Sequence, residues 1–387
     1  MPGQPKGPAP AGHDEELAAF RELARTFLVR EVVPHHAAWE EAGLVDREVW
    51  RAAGRHGLLG LDVPEEYGGA GVADFRFHAA LSEEIVRVGA YGLGFALHND
   101  VVAPYLLRLG TAEQKRRWLP GFCSGDLVTA IAMTEPEAGS DLQAIRTTAR
   151  RDGDHYVLNG AKTFITNGVH ADLVIVAART EAGSGARGLS LLVVERGMAG
   201  FERGRKLDKI GMRAQDTAEL FFDDVRVPAA NLLGRPGRGF LHLADNLPQE
   251  RLGIAAYAVA GAETAFAHTL AHCRTRTAFG QPIGSFQHIR FELAEMATEL
   301  EIARTYVDRC VERHNAGRLD EVGAAKAKWW ATDLQRRVLD RCVQLHGGYG
   351  FMREYPVARA YVDTRVHPIY GGTNEIMKEI IGRSLGV

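Results

Sequence analysis

Ala132-Met133-Thr134-Glu135-Pro136-Glu137-Ala138-Gly139-Ser140-Asp141-Leu142-Gln143-Ala144 marks the place where the chain changes character. Upstream, from Asp14 to about Leu119, apolar residues recur at helical spacing. Leu17, Phe20, Leu23, Ala24 and Phe27 make one stripe, and Val101 to Leu109 continues the style. Pro64 to Ala73 interrupts it as a Gly-rich loop. Downstream, to about Leu232, come short apolar and β-branched runs: Tyr156 to Leu158, Leu173 to Ala178, Leu189 to Val194 and Glu219 to Phe222. Gly, Asp and Asn punctuate them, which predicts a compact antiparallel β domain. After Gly239 helical periodicity returns, clearest over Ile289 to Gly317, Glu321 to Leu345 and Glu375 to Ile381. The order helices, sheet, helices predicts an α+β fold that is mostly helical. Its expected parts are a disordered tail over 1–13, a helical domain over 14–126, a β domain over 127–232 and a second helical domain over 233–387. The β segment has no βαβ alternation and no Gly-x-Gly-x-x-Gly after a strand, which argues against a Rossmann dinucleotide site.

The 387 residues carry a net charge of −3, so no basic field points to nucleic acid or to an anionic membrane. Cys123, Cys273, Cys310 and Cys342 are scattered, without a Cys-x-x-Cys pair or a cysteine–histidine cluster at metal spacing. That predicts reduced thiols and no metal site. The Pro- and Gly-rich start lacks a signal peptide's apolar core, and no later stretch is apolar enough to span a bilayer. A cytoplasmic protein is the expectation.

Glu250 is the chain's chemical anomaly. At helical spacing Leu243, Leu247, Ile254, Tyr257 and Gly261 share a face, with Glu250 in its middle. The pattern predicts burial of the whole face, and a buried unpaired carboxylate raises its pKa. Such a group is a candidate general base, or else one half of a structural ion pair with Arg251 or another cation.

Five loops nominate ligand contacts. The opening stretch offers backbone N–H groups and hydroxyls to an anionic or heteroaromatic ligand, although taken alone it reads first as a capped turn. Gly160 to Gly168 ends a strand, where Phe164 and Thr166, two residues apart, would face one side and could cover a flat ring. Arg276-Thr277-Ala278-Phe279-Gly280, followed by Gln287, suits a pyrophosphate, or a plain surface salt bridge. Gln344-Leu345-His346-Gly347-Gly348-Tyr349-Gly350-Phe351 ends a helix on glycines, and Ile369-Tyr370-Gly371-Gly372-Thr373-Asn374-Glu375 leads into the last one.

Joined in this order, the segments resemble the acyl-CoA dehydrogenase family over nearly the whole chain. Ala132 to Ala144 fits its first signature and Gln344 to Asp363 its second. Likeness to the long-chain branch rests on Leu247 to Leu252, Gln215 to Phe222 and Ile369 to Glu379. The resemblance implies a helical domain, a β domain and a C-terminal four-helix bundle around FAD, in tetramers built as pairs of dimers. It implies that Met133, Thr134 and Ser140 line the flavin and its phosphates, and that Phe164 and Thr166 cover its ring. Arg276, Phe279, Gln287, Gln344 and Gly348 would reach FAD, several from a neighbouring subunit, with Thr373 and Glu375 completing the site. Ser140, Arg251, Tyr370 and Gly372 would contact the acyl-CoA substrate. Many members keep their catalytic glutamate at the position of Gly371; the long-chain and isovaleryl branches resemble this chain in having it where Glu250 stands. Gly371 would then supply only a backbone N–H to the thioester carbonyl, while Glu135 and Glu375 are weaker candidates for the base. The implied reaction is α,β-dehydrogenation of a fatty acyl-CoA in β-oxidation, with electrons passed to an electron-transfer flavoprotein. Action on carrier-protein thioesters, or as an oxidase, is the alternative. A flavin-bearing nucleic-acid-binding relative is disfavoured by the charge.

Overall fold

The stripe through Leu17, Phe20, Ala24 and Phe27 forms α1 (His13–Phe27), with Ala24 and Phe27 buried and Leu23 turned outward, 42% exposed. The computed structural model describes residues 13–181 and 188–386. The tail expected over residues 1–13 lies outside them except for His13. Five more helices follow: α2 (Val33–Ala42), α3 (Arg47–Arg55), α4 (Phe75–Arg87), α5 (Ala103–Leu109) and α6 (Ala112–Ser124). Two have clear start signals. Asp74 caps α4 by accepting from the Arg76 N–H, and Thr111 with Gln114 forms a capping box on α6. A π-helical turn, Leu97–Val102, runs into α5.

The β domain holds β1 (Thr129–Ala132), β2 (Thr148–Asp152), β3 (His155–Thr166), β4 (Leu173–Arg179), β5 (Leu189–Glu195), β6 (Phe201–Lys206), β7 (Thr217–Pro228) and β8 (Leu232–Leu233). Their order is β6-β7-β3-β2-β4-β5-β8, with β1 also against β4. Most pairings are antiparallel as expected, but β1 runs parallel to β4, from Thr129 beside Leu173 to Ala132 beside Val176. Apart from one parallel bridge between Thr148 and Arg179, the rest of the domain is antiparallel as expected, so the exception is β1 with β4. β2 and β3 lie between these two strands in sequence, and so long a connection permits a parallel pair that a tight hairpin cannot make. β4 is buried on both faces. Leu173, Ile175 and Ala177 share an apolar cluster with Trp118, Leu119 and Phe122 of α6. Val174, Val176 and Ala178 share another with Phe201 and Phe222. Coverage on both sides is why this strand reads as one continuous apolar run rather than an alternation.

The C-terminal part packs α7 (Gly239–Thr275), α8 (Gln287–Asn315), α9 (Glu321–His346) and α11 (Asn374–Ser384), with the short α10 (Pro356–Asp363) beside them. At 1.5 Å per residue α7 is about 55 Å long. Ala255, Ala258 and Ala262 of α7 and Ala327 and Ala331 of α9 belong to one buried cluster, where small side chains let the helices approach closely. Gly92 and Gly94 also serve packing. A Cβ on Gly92 would lie 2.4 Å from Ala214 Cβ, and one on Gly94 2.1 Å from Asn167 Oδ1. These glycines seat the first helical domain on the β domain. Among the described residues no helix is long and apolar enough to cross a membrane.

Candidate active site

Helix α7 carries the Glu250 face across two environments. Leu243 and Tyr257 are buried as the spacing predicts, but Leu247, Glu250 and Ile254 are half-buried. The expectation of uniform burial fails because the middle of the face meets the turn before α11 rather than solid core. The carboxylate itself is desolvated: Glu250 Oε2 is buried and has no hydrogen-bond partner among the described residues. Burial raises the Glu250 carboxyl to about 7, against the pull of the nearby Arg251 and Lys328 charges. Arg251, the neighbour considered as its ion-pair partner, instead reaches Glu321 at 3.2 Å.

Gly371 and Gly372 both adopt left-handed backbone, φ 63° and 88°. A Cβ built on Gly371 would stand 2.4 Å from Ile254 Cδ1 and 3.5 Å from Glu250 Oε1. Position 371 therefore opens onto the same point in space as the Glu250 carboxylate, and both conformation and crowding favour glycine there. A Cβ on Gly372 would lie 3.8 Å from Arg251 Nη2, so Arg251 stands directly behind the turn. Tyr370 stacks on His367, with ring centroids 5.5 Å apart. His367 is held by Gln335 at 2.7 Å and meets Tyr257 edge-on. Burial, aided by Lys328, pushes the His367 imidazole down to about 3, so it is neutral. Thr373 caps α11 by accepting from the Ile376 N–H at 3.3 Å. Glu375 is exposed, and its own backbone N–H and Thr373 hold its carboxyl below the ordinary range.

Sequence reading missed the groups beneath this turn. Lys328, Thr332 and Gln335 on α9 are fully buried, as is His367. Lys328 Nζ donates to the Gly372 carbonyl at 2.7 Å and to Asn374 Oδ1 at 3.1 Å. The signal was present: Ala324, Lys328, Ala331 and Gln335 fall on one helical face, as Glu250 does with its apolar neighbours.

A second group gathers at the start of the β domain. Lys162 reaches across from β3 to donate to Glu135 at 2.8 Å and to the Met133 carbonyl at 3.0 Å, while Thr163 N–H donates to the Thr134 carbonyl. Burial raises the Glu135 carboxyl, but the Lys162 charge, its hydrogen bond and the N–H groups of Thr147 and Arg146 outweigh it, leaving it below its ordinary range. That removes Glu135 as a base and makes it a strut for the loop. Breaking a buried pair strands one charge. Lys162→Met is accordingly expected to cost about 3–5 kcal/mol in denaturant unfolding; a loss under about 1 kcal/mol would contradict this role. Met133 and Thr134 are half-buried and Ser140 is exposed. Phe164 sits in left-handed backbone, φ 59°, 67% exposed, at a register shift in β3 between Lys162 and Ile165. The regular alternation assumed for Phe164 and Thr166 is thus broken by a bulge, although both still lie outside the buried Ile165.

A third group lies far off. Arg276 follows α7, 26 residues after Glu250, or about 39 Å along the axis. Its guanidinium stands 5.8 Å from the Tyr349 ring centroid, and a cavity of about 410 Å³ brings Arg276, Gln344 and Gly348 together with His272 and His346. A larger cavity, about 940 Å³, adjoins it at Gln344 and also lies away from Glu250. Phe279 is 96% exposed with φ 52°, and Gln287 is exposed at the start of α8. One chain therefore separates the nominated residues into three groups, with the Arg276 group remote from Glu250 along α7.

The family model "Acyl-CoA dehydrogenase, N-terminal domain" matches residues 14–126, "middle domain" 130–225 and "C-terminal domain" 237–386. The long-chain specific acyl-CoA dehydrogenase of Sus scrofa is 52% identical over 95% of this chain and 85% of its own length. An acyl-CoA dehydrogenase structure from Geobacillus kaustophilus superposes with a TM-score of 0.94 at 51% identity, covering 96% of this chain and 98% of that one. One from Bacillus anthracis, solved with FAD, has a TM-score of 0.88 at 33% identity, covering 96% of this chain and 68% of that one. The Sus scrofa relative is a mitochondrial protein by name, which overturns the cytoplasmic expectation. Reduced cysteines and near-neutral charge fit more than one compartment and carry no address. Three domain models matched in order, and about half of all residues shared with the Sus scrofa and Geobacillus kaustophilus enzymes, show that the chain belongs to the acyl-CoA dehydrogenase family of oxidoreductases.

Proposed function

We propose that Glu250 is the base in an FAD-dependent α,β-dehydrogenation of fatty acyl-CoA to the trans-2-enoyl-CoA. The observation that carries this is the convergence of Glu250 Oε1 on the space opposite Gly371, 3.5 Å from the point where a side chain at 371 would begin. The second carboxylate oxygen is buried without a partner among the described residues, which leaves the group basic enough to take a weakly acidic α-proton. The thioester carbonyl must be polarised as enolate charge develops, and the Gly371 N–H is the donor the turn offers for it. Arg251, behind Gly372, and Tyr370 and Ser140 hold the substrate, with Arg251 toward its CoA part.

The residues present fit FAD. An aromatic ring held outward on a bulge at Phe164, with Thr166 beside it and the loop of Met133, Thr134 and Ser140 next to it, suits a flat heteroaromatic ligand with anionic groups. When bound, FAD supplies the acceptor for the β-hydrogen, which leaves as hydride. Thr373 and Glu375 complete this site at the start of α11. Arg276, Phe279, Gln287, Gln344 and Gly348 serve the cofactor of a neighbouring copy, because about 39 Å of helix keeps them from their own Glu250. A homotetramer of paired dimers satisfies that requirement, and electrons leave to an electron-transfer flavoprotein.

Anaerobic mixing of the FAD-loaded protein with a series of short to long acyl-CoA thioesters is expected to bleach the flavin absorbance, and bleaching by none of them would remove the reading. The pH dependence is a sharper check. The base works ionised, so a carboxyl near 7 predicts kcat/KM rising with pH up to about 7 and level above it. Below that point the slope is about tenfold per pH unit. A profile flat between about pH 5 and pH 8 would contradict a carboxylate base in this environment.

A further inference from the structure

Lys328 is a lysine at a helix position that calls for a methionine or leucine. It faces inward from α9 with no side-chain exposure, and among the described residues no carboxylate lies within ion-pair distance of it. Burying an ammonium group is costly unless its donors are used. Two of its three hydrogens are accounted for, one by the Gly372 carbonyl at 2.7 Å and one by Asn374 Oδ1 at 3.1 Å. Asn374 is itself fixed: Thr332 Oγ1 donates to its Oδ1 at 3.1 Å, its Nδ2 donates to the Trp329 carbonyl at 3.3 Å, and its N–H donates to the Pro368 carbonyl at 2.9 Å. The ammonium group thus joins a rigid helix to the carbonyl of the second of two consecutive left-handed glycines. Burial, aided by the nearby Arg251, pushes the Lys328 amine down to about 7 against the pull of Glu375 and Glu250; charged or neutral, it still has hydrogens to donate.

Two successive glycines are a loose joint, since neither has a side chain to restrict its backbone. A contact that must stabilise developing enolate charge is effective only if its donor is already in place. We propose that Lys328 is a positioning residue for the dehydrogenation: by holding the Gly372 carbonyl it fixes the Gly371–Gly372 turn, so that the Gly371 N–H stands ready for the thioester oxygen beside Glu250. This rests on the assignment of Glu250 and Gly371 above. Lys328 touches neither substrate nor proton; it acts through the turn.

The test uses FAD-loaded Lys328→Met and Lys328→Ala beside wild type and Glu250→Gln, each reduced anaerobically in single turnover over a range of acyl-CoA concentrations. The limiting bleaching rate per bound flavin is expected to fall about 100-fold in either Lys328 variant. The substrate concentration giving half that rate should move less than about threefold, because ground-state binding is not what the clamp serves. Two apolar variants are used so that a failure of one to hold FAD does not decide the matter. A rate per flavin within about threefold of wild type in either, with only flavin content or Tm reduced, would mean that Lys328 merely stabilises the fold and would overturn the inference. If Glu250→Gln bleaches normally, the base assignment fails and this inference falls with it. If Glu250→Gln is inactive while a Lys328 variant is normal, only the role of Lys328 is lost.

Discussion

Glu250→Gln is expected to lower the limiting rate of flavin bleaching by acyl-CoA about 10³- to 10⁴-fold, near the upper end of what a positioned base contributes. Glutamine keeps the shape of the side chain and removes only its capacity to take a proton. Because Glu250 Oε2 has no hydrogen-bond partner among the described residues, the amide breaks no bond seen at that oxygen. FAD content and acyl-CoA affinity should therefore remain close to wild type, and the rising limb of the pH profile near 7 should vanish. Bleaching at the wild-type rate would sink the assignment. A parallel loss of FAD and rate would show instead that the carboxylate is structural.

Moving the carboxylate is expected to fail at first and then succeed. In Glu250→Ala with Gly371→Glu, the new side chain starts 2.4 Å from Ile254 Cδ1 and must sit on backbone with φ 63°. The left-handed conformation costs roughly 1–2 kcal/mol in a residue with a Cβ, and a misplacement of about 1 Å can cost 10²-fold in rate. The double variant should thus work at about 1% of wild type or less. Adding Ile254→Ala removes the obstructing methyl group, and the triple variant is expected to regain at least about tenfold over the double. The flexible end of an isoleucine, rather than backbone, is what stands in the way, so room can be made. No gain on trimming Ile254 would show that 250 and 371 do not serve the same proton.

Much of this fold was legible because its signals are local. The periodicity of Leu17, Phe20, Ala24 and Phe27 follows from one helix packing on one core, and Leu173 to Ala178 reads as an apolar run because both faces of β4 are covered. Where neighbours in space come from elsewhere in the chain, the same reading slipped. Parallel pairing of β1 with β4 leaves no turn signature. The bulge at Phe164 breaks an alternation that residue types alone would keep. Leu247 and Ile254 look like core residues, yet both are half-buried, and Ile254 faces a turn formed at the far end of the chain. The cytoplasmic expectation failed for a different reason, since compartment is not a property of packing.

Glu250 and Gly371 divide the same way. A carboxylate on an apolar helix face and a glycine at 371 are facts of sequence, and with the family resemblance they already pointed to one base. That the two positions open on one point, with the end of Ile254 crowding any side chain at 371, exists only once α7 and the turn before α11 are packed together. Lys328 is the clearest case. In the chain it is one of eight lysines, and only the docking of α9 against that turn desolvates it and gives it a carbonyl to hold. Periodicity tells which face of a helix is buried; the partner that buries it, and hence the chemistry made there, is set by contacts between segments remote in sequence.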